Sequence, residues 1–599
     1  MHLLLLLSCA KQLPVAALPP DPVVVPERTE AFDHGAADAV VDPALADLLQ
    51  RMWLGRLRYH PSLGSDLGDP AFDDLVHDGS PEARAAYRAE QDAWLAELDA
   101  LEGLAPADAA TRALARAELT AHIAQRVCRF EHWAISPRNQ PLVDASWLVQ
   151  GTALDSPRDG QQLVRRLSAA ATNIDHQLTD LRAGLADGLV ANAESIRRVV
   201  EMLDEEVQAP LAESPLMAEV PDGWSDDEAA AFRAANEAVV VDELRPALAR
   251  LRDGLRDEAL PIARTGADAS LAGLPLGEAC YAALIEQYTT LPLDAPTLHQ
   301  TGLDELASIH AEFEVLGQAL WGVSDRAAVF ERLRTDPALR FDTAEAVEQT
   351  AREALARAES KVPQAFGALP ETPCEVRPIP DYLAPYTTIA YYERPRPGQG
   401  LPGYYAVNTY QPETRPRHEA EVLAFHEAVP GHHLQIALNM ELDGLPAFRR
   451  HGQFTAFVEG WALYTERLAD ELGLYSGDLD RMGMLSFDAW RAARLVVDTG
   501  LHHEGWTREQ AVAFLQANTP LALNNIDNEV DRYLTTPGQA LAYKTGQLHI
   551  RRLRAEAEAE LGEAFDLSGF HDVVLGGGGV TLPVLEDRVN TWVQARAND

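Results

Sequence analysis

From about residue 42 to 370 apolar residues recur at helical spacing. Leu45, Leu48, Leu49, Met52 and Trp53 form one such stripe, and Leu163, Leu167, Ala170, Ile174 and Leu178 form another. Short breaks containing Pro, Gly or Asp separate the stripes, so the pattern predicts successive amphipathic helices with little strand between them. Between 371 and 412 the texture changes. PYTTIAYYE and PGYYAVNTY are β-branched and aromatic and are joined by the turn-rich ERPRPGQGLPG, which predicts a small sheet or hairpin. After 417 the helical period returns and runs almost to the end, interrupted by the Gly-rich VVLGGGGVTL at 573–582. The expected fold class is mainly α with one small β element. We divide it into an N-terminal helical lobe at 41–370 and a C-terminal lobe at 371–599, with 41–599 forming one domain.

With 599 residues, 47% of them hydrophobic and 24% charged, the chain has the composition of a globular protein rather than a disordered or fibrous one. It contains 50 Lys and Arg against 92 Asp and Glu, a net charge of −42 whose field repels phosphate backbones and excludes nucleic acid as a partner. Its cysteines, Cys9, Cys128, Cys280 and Cys374, are too sparse and too widely spaced for a CxxC metal site or a disulfide framework. Cys9 stands apart from the others. Residues 3–7 are all Leu and Ser8-Cys9-Ala10 follows, so Leu6-Leu7-Ser8-Cys9 resembles the cleavage and lipidation site of a bacterial lipoprotein. On that reading 1–8 is a signal segment and 9–40 an extended tether, and the protein is exported and lipid-anchored at Cys9 to the cell envelope. No later segment reaches ~18 uncharged apolar residues, so the anchor is the only membrane contact expected.

The chemistry concentrates in His426-Glu427-Ala428-Val429-Pro430-Gly431-His432-His433, which follows the helical run EAEVLAF. It looks like a stretched HExxH, in which two imidazoles one turn apart bind zinc and the intervening Glu takes a proton from the attacking water. A regular helix carries i to i+4 back to the same face, whereas i to i+6 turns about 240° and rises ~9 Å, which would aim His432 away. The helix is therefore expected to bulge at Pro430-Gly431, where Pro cannot donate to the carbonyl of His426 and Gly accepts unusual dihedrals. A catalytic zinc usually takes three protein ligands. The best third candidate is Glu459, 27 residues after His432, on the shoulder of an apolar stripe made by Phe454, Phe457, Val458, Trp461 and Leu468. Glu466, seven residues further on the same face, is its rival or its supporting partner.

HEAVPGHHLQ, then VEGWALYTE, DTGLHHEGW and EVDRYLTTPGQALAYKTG, resemble in order the blocks of a bacterial lipoprotein family known as domain of unknown function 885, over roughly 45–595. That family is regarded as similar to helical zinc peptidases of the HExxH-plus-Glu type. The resemblance implies a two-lobed helical body with the β element at the active-site cleft. It also implies one zinc held by His426, His432 and Glu459, with Glu427 as base. Similarity to peptidases whose motif ends in Gly-His favours His432 over His433. By analogy with related peptidases, His502, Tyr533 and Tyr543 are candidate donors to the developing oxyanion. Arg532 and Lys544 are candidate partners of a substrate carboxylate, and the strand-like Gly403–Asn408 segment is a candidate edge for an extended peptide. The expected activity is a metallopeptidase acting on short peptides. A zinc amidase or esterase, or a binding lipoprotein without catalysis, are the alternatives.

Overall fold

The computed structural model describes residues 32–380, 384, 389–396, 400–452 and 454–598. The expected signal segment, Cys9 and most of the expected tether lie outside the described residues. The end of the expected tether, from His34 on, is docked: Arg450 donates to the His34 carbonyl and to Asp38, and the Ala447 N–H donates to the Gly35 carbonyl.

The chain is mainly helical with one small sheet. Many helices begin where the sequence places proline. Pro43, Pro61, Pro81, Pro106, Pro141 and Pro157 each open one, a position where the missing N–H costs nothing. Caps complete these starts: Asp42 accepts from the N–H groups of Ala44 and Leu45, and Thr507 with Gln510 forms a reciprocal capping box.

Residues 34–599 form one compact unit. Its apolar cores do not stop at residue 370. One packs Leu45, Leu48, Trp53 and Leu114 with Phe425, Trp461 and Phe570, so the first helices share a core with the last ones. A second joins Ile309 and Phe313 of the helix Ala295–Trp321 to Leu485, Val496 and Tyr533. A third is confined to the 135–259 region, around Leu163, Leu167, Ile196 and Leu248. At the centre runs the helix Asp478–His502, buried on every side from Met482 onward, with Asp488, Arg491, Arg494 and Asp498 carried into the interior among its apolar residues.

The sheet has order β1 (Cys374–Pro378), β3 (Gly403–Val407), β2 (Ala390–Glu393). β3 pairs in parallel with β1 and antiparallel with β2. The sheet lies where the texture of the sequence changed, but Gly403–Val407 is its central strand. Among the described residues β1 and β2 flank it, so it is not the edge expected there.

Among the described residues a disulfide joins Cys128 to Cys280, 152 residues apart, which corrects the expectation drawn from cysteine spacing. The turn Gln125–Cys128 and the helix Gly277–Thr289 meet only in the folded chain, so no local spacing announces the pair.

Candidate metal centre

The helix Ala420–Glu427 delivers His426 and Glu427 at its last turn. The chain does not then bulge and continue as one helix. It breaks, runs through Ala428–Gly431 with a cis Val429–Pro430 bond, and starts a second helix at His432. Two features impose the break. Pro430 has no N–H to extend the ladder, and a Cβ on Gly431 would stand 2.0 Å from the His426 carbonyl oxygen, so only glycine fits where the link folds back on the helix end. The His433 N–H still reaches the Ala428 carbonyl at 3.0 Å, and Trp461 Nε1–H holds the Pro430 carbonyl at 3.0 Å. The break turns His432 back toward His426, the outcome the spacing required, by a different route.

Glu459 arrives on the helix Thr455–Glu471. Its Oε2 lies 3.7 Å from His426 Nε2 and 3.5 Å from His432 Nε2, and the three donor atoms all fall within 4.8 Å of one another. Donors bonded at ~2.0–2.1 Å to one tetrahedral ion stand roughly 3.3 Å apart, so the trio fits a single zinc-sized ion with little movement. Glu466 is not a fourth ligand: its Oε1 accepts from His426 Nδ1–H at 2.8 Å, which turns the Nε2 lone pair toward the trio. Burial lowers the His426 pKa, but hydrogen bonds to Glu459 and Glu466 outweigh it and raise it to about 9. Burial acts in the opposite sense on Glu459, and the two histidines still hold its pKa well below the usual carboxylate range. His433 points elsewhere. It is hydrogen-bonded to the Tyr392 hydroxyl and the Thr372 carbonyl, and burial lowers its pKa to about 4, so it stays neutral and structural.

The block VEGW has a reading at each position. Glu459 joins the trio, Trp461 pins Pro430, and Gly460 lets its helix cross the helix Ala542–Leu561 at Gly546, where an added Cβ would stand 2.4 Å from the Gly546 Cα. The last motif block thus meets the second at a glycine-to-glycine crossing.

His426, Glu427, His432 and Glu459 open onto one cavity of about 450 Å³. Its walls include Ile389 to Tyr392 in and beside β2, Leu423, Ile436, Val458, Phe487, Trp490, Tyr543 and the arginines Arg138, Arg394, Arg491, Arg494 and Arg532. Of the residues proposed from sequence, Tyr543 and Arg532 are thus at the cavity. His502, Tyr533 and Lys544 are not. His502 accepts from the Leu271 N–H and donates to the Tyr533 carbonyl. The Tyr533 hydroxyl, fully buried, accepts from Trp490 Nε1–H and Arg494 Nε–H. Lys544 is sealed into a core ion pair with Asp488 at 2.7 Å and Glu305 at 2.8 Å, so its charge is spent inside the protein. Arg491, Arg494 and Trp490 escaped the sequence reading, although an arginine pair inside the apolar run FDAWRAARLVV was a usable signal, since unpaired arginines rarely sit in such helices.

A family model described as bacterial protein of unknown function, DUF885, matches residues 61–589. The chain belongs to this family. No curated protein matches it. Among solved structures, this DUF885 protein is similar to a protein from Colwellia psychrerythraea described as a "putative lipoprotein", with 26% identity, a TM-score of 0.86, and 92% of this chain and 99% of that one covered. It shares its fold with a "putative lipoprotein of unknown function" from Shewanella oneidensis, at 18% identity and TM-score 0.69, covering 91% and 98%. Among the described residues no helix is long and apolar enough to cross a membrane.

Proposed function

We propose that this DUF885 protein is a zinc-dependent hydrolase that cleaves the amide bonds of short peptides, exported and lipid-anchored through Cys9. The observation that carries the reading is the convergence of His426, His432 and Glu459 with Glu427 on the wall of the same cavity. Two imidazoles and one carboxylate are a donor set suited to zinc, and three protein donors leave a position for reactants. When bound there, zinc supplies Lewis acidity that makes water easier to deprotonate and polarises the scissile carbonyl.

Glu427 takes a proton from the attacking water and returns it to the leaving amine nitrogen. Tyr543, which lines the same cavity, would donate to the developing oxyanion. Burial raises its pKa, so the phenol keeps its proton at neutral pH, and Gln539 Nε2–H donates to its oxygen at 3.3 Å, leaving the hydroxyl proton free for the substrate. Glu466 keeps His426 in the tautomer whose Nε2 is free. The strand β2 borders the cavity through Ala390 to Tyr392, and an extended peptide bound beside the trio would lie along it. Export agrees with the names of the two similar lipoproteins and with the Cys128–Cys280 disulfide, a bond that persists in oxidising compartments.

The decisive experiment is elemental analysis of the purified protein and of Glu459→Ala, together with a short-peptide mixture followed by mass spectrometry. About one zinc per chain is expected, lost in the variant, with cleavage that a chelator abolishes. Zinc without peptide cleavage would refute the peptidase assignment in favour of a non-peptide hydrolase, and a zinc-free protein would refute both.

A further inference from the structure

The cavity beside the trio is rich in arginine although the chain as a whole carries −42. Most of these cations have partners. Arg494 and Arg532 share the carboxylate of Glu529, at 3.0 and 2.9 Å, and Arg394 lies 3.7 Å from Asp66. Arg491 differs. It is only 5% exposed, and its Nε and Nη1 are buried without a hydrogen-bond partner among the described residues. Its guanidinium is held flanked by aromatic rings, 4.3 Å from the centroids of both Phe487 and Trp490.

The carboxylates of Glu466 and Glu459 act on this charge through space without a hydrogen bond to it, and a buried guanidinium whose donors are left over is retained where a further acceptor can reach it. A second cavity shows the contrast. Between Arg56, Arg84, Arg88 and Arg126, far along the chain in the N-terminal helices, every arginine already has its own carboxylate: Glu118, Asp180, Glu131 and Asp92.

We propose that Arg491, backed by Arg494 and Arg532, receives a free carboxylate of the substrate, so that the peptides cleaved are those cut close to their carboxyl end. A planar guanidinium presents its fork through Nη2 together with Nε or Nη1, and such a fork matches a carboxylate bidentately. Among the groups every short peptide offers, the terminal carboxylate is the one anion. Ile436, Val458 and Phe487 line the same cavity and give the terminal side chain an apolar surface. The position of the scissile bond rests on the hydrolase reading above, while the carboxylate site does not.

The test is calorimetric binding of N-acetylphenylalanine and of its carboxamide to the zinc-loaded protein, to Arg491→Gln and to Arg491→Lys, with zinc content and circular dichroism of each. The native protein is expected to prefer the carboxylate by at least about tenfold, since charge-assisted hydrogen bonds contribute ~1.5–3 kcal/mol. Arg491→Gln is expected to lose the preference with zinc retained, and Arg491→Lys to recover part of it. A native protein that does not discriminate, including one that binds neither compound, overturns the proposal. So does a preference that survives in Arg491→Gln, because the carboxylate would then be held elsewhere. Should Arg491→Gln fail to fold, the native comparison and Arg491→Lys still decide. An Arg491-dependent preference in a protein that hydrolyses nothing would leave this site standing while the hydrolase reading fell.

Discussion

Glu427 and Glu466 stand on either side of the same histidine and do different work. Glu427 is adjacent to the trio in sequence and faces the cavity, whereas Glu466 accepts from the far nitrogen of His426. Glu427→Gln should therefore keep about one zinc per chain and lose ~100-fold or more in kcat, the usual contribution of general base catalysis; a variant with full turnover would remove Glu427 from the mechanism. Glu466→Gln can still accept from His426 but no longer holds it by charge, and its zinc affinity should fall ~10–100-fold in a competition titration with a chromogenic chelator. At this scale the sequence was informative where residue type alone limits the choices. Two histidines and two glutamates in specific motifs named the trio and its support. Tyr533, Lys544 and His502 lie outside the cavity lining, because a tyrosine, lysine or histidine near a motif serves a core hydrogen bond as readily as a substrate. Only the fold shows that Asp488 and Glu305 have already claimed Lys544.

At the scale of elements, the site depends on where two helices cross. The helix Thr455–Glu471 places Glu459, and its register against Ala542–Leu561 is set by Gly460 facing Gly546. Any Cβ at Gly460 meets backbone rather than a flexible side chain, so the helices must separate or slide. Gly460→Ala should cost about 1–3 kcal/mol of stability and weaken zinc binding as Glu459 moves; a variant with unchanged thermal midpoint and zinc content would show that the crossing tolerates the shift. Helical periodicity and the proline starts made most helices legible, and the aromatic, β-branched stretch marked the sheet. The break between Glu427 and His432 was less legible. Pro-Gly announces an irregularity, but whether the helix widens or stops depends on the close approach of Gly431 to the Phe425 and His426 carbonyls and on Trp461, 30 residues away in sequence. Strand order was not legible either, because CEVRP is too short and mixed to stand out as a partner of β3.

For the whole molecule, buried titratable groups set the pH range of stability. Burial raises the Asp498 pKa to about 7 against the pull of Tyr281 and Gly538. Its folded state therefore binds a proton more tightly than the unfolded chain, and the associated stability is complete in acid and lost as pH rises through about 7. Burial lowers His502 and His571 to about 4, so their contribution is lost as pH falls from about 6.5 toward 4. The two histidines together outweigh Asp498 between about pH 4 and 6.5, so the thermal midpoint should climb over that range and level off by about pH 7. Asp498→Asn keeps an acceptor for Tyr281 without a charge, and should remove the stability that the native protein loses between about pH 4 and 7, so that its midpoint climbs more steeply over that range; an unchanged slope there would mean that Asp498 does not contribute.

The Cys128–Cys280 bond has a consequence for the covalent topology of the chain. It closes residues 129–279 into a loop that contains the whole 135–259 core, so a single proteolytic cut within that loop opens a ring without releasing a fragment. The nicked protein would migrate as one band until a thiol is added and as two afterwards. The covalent link between the 135–259 region and the helices that carry the metal site would thus outlast the continuity of the backbone.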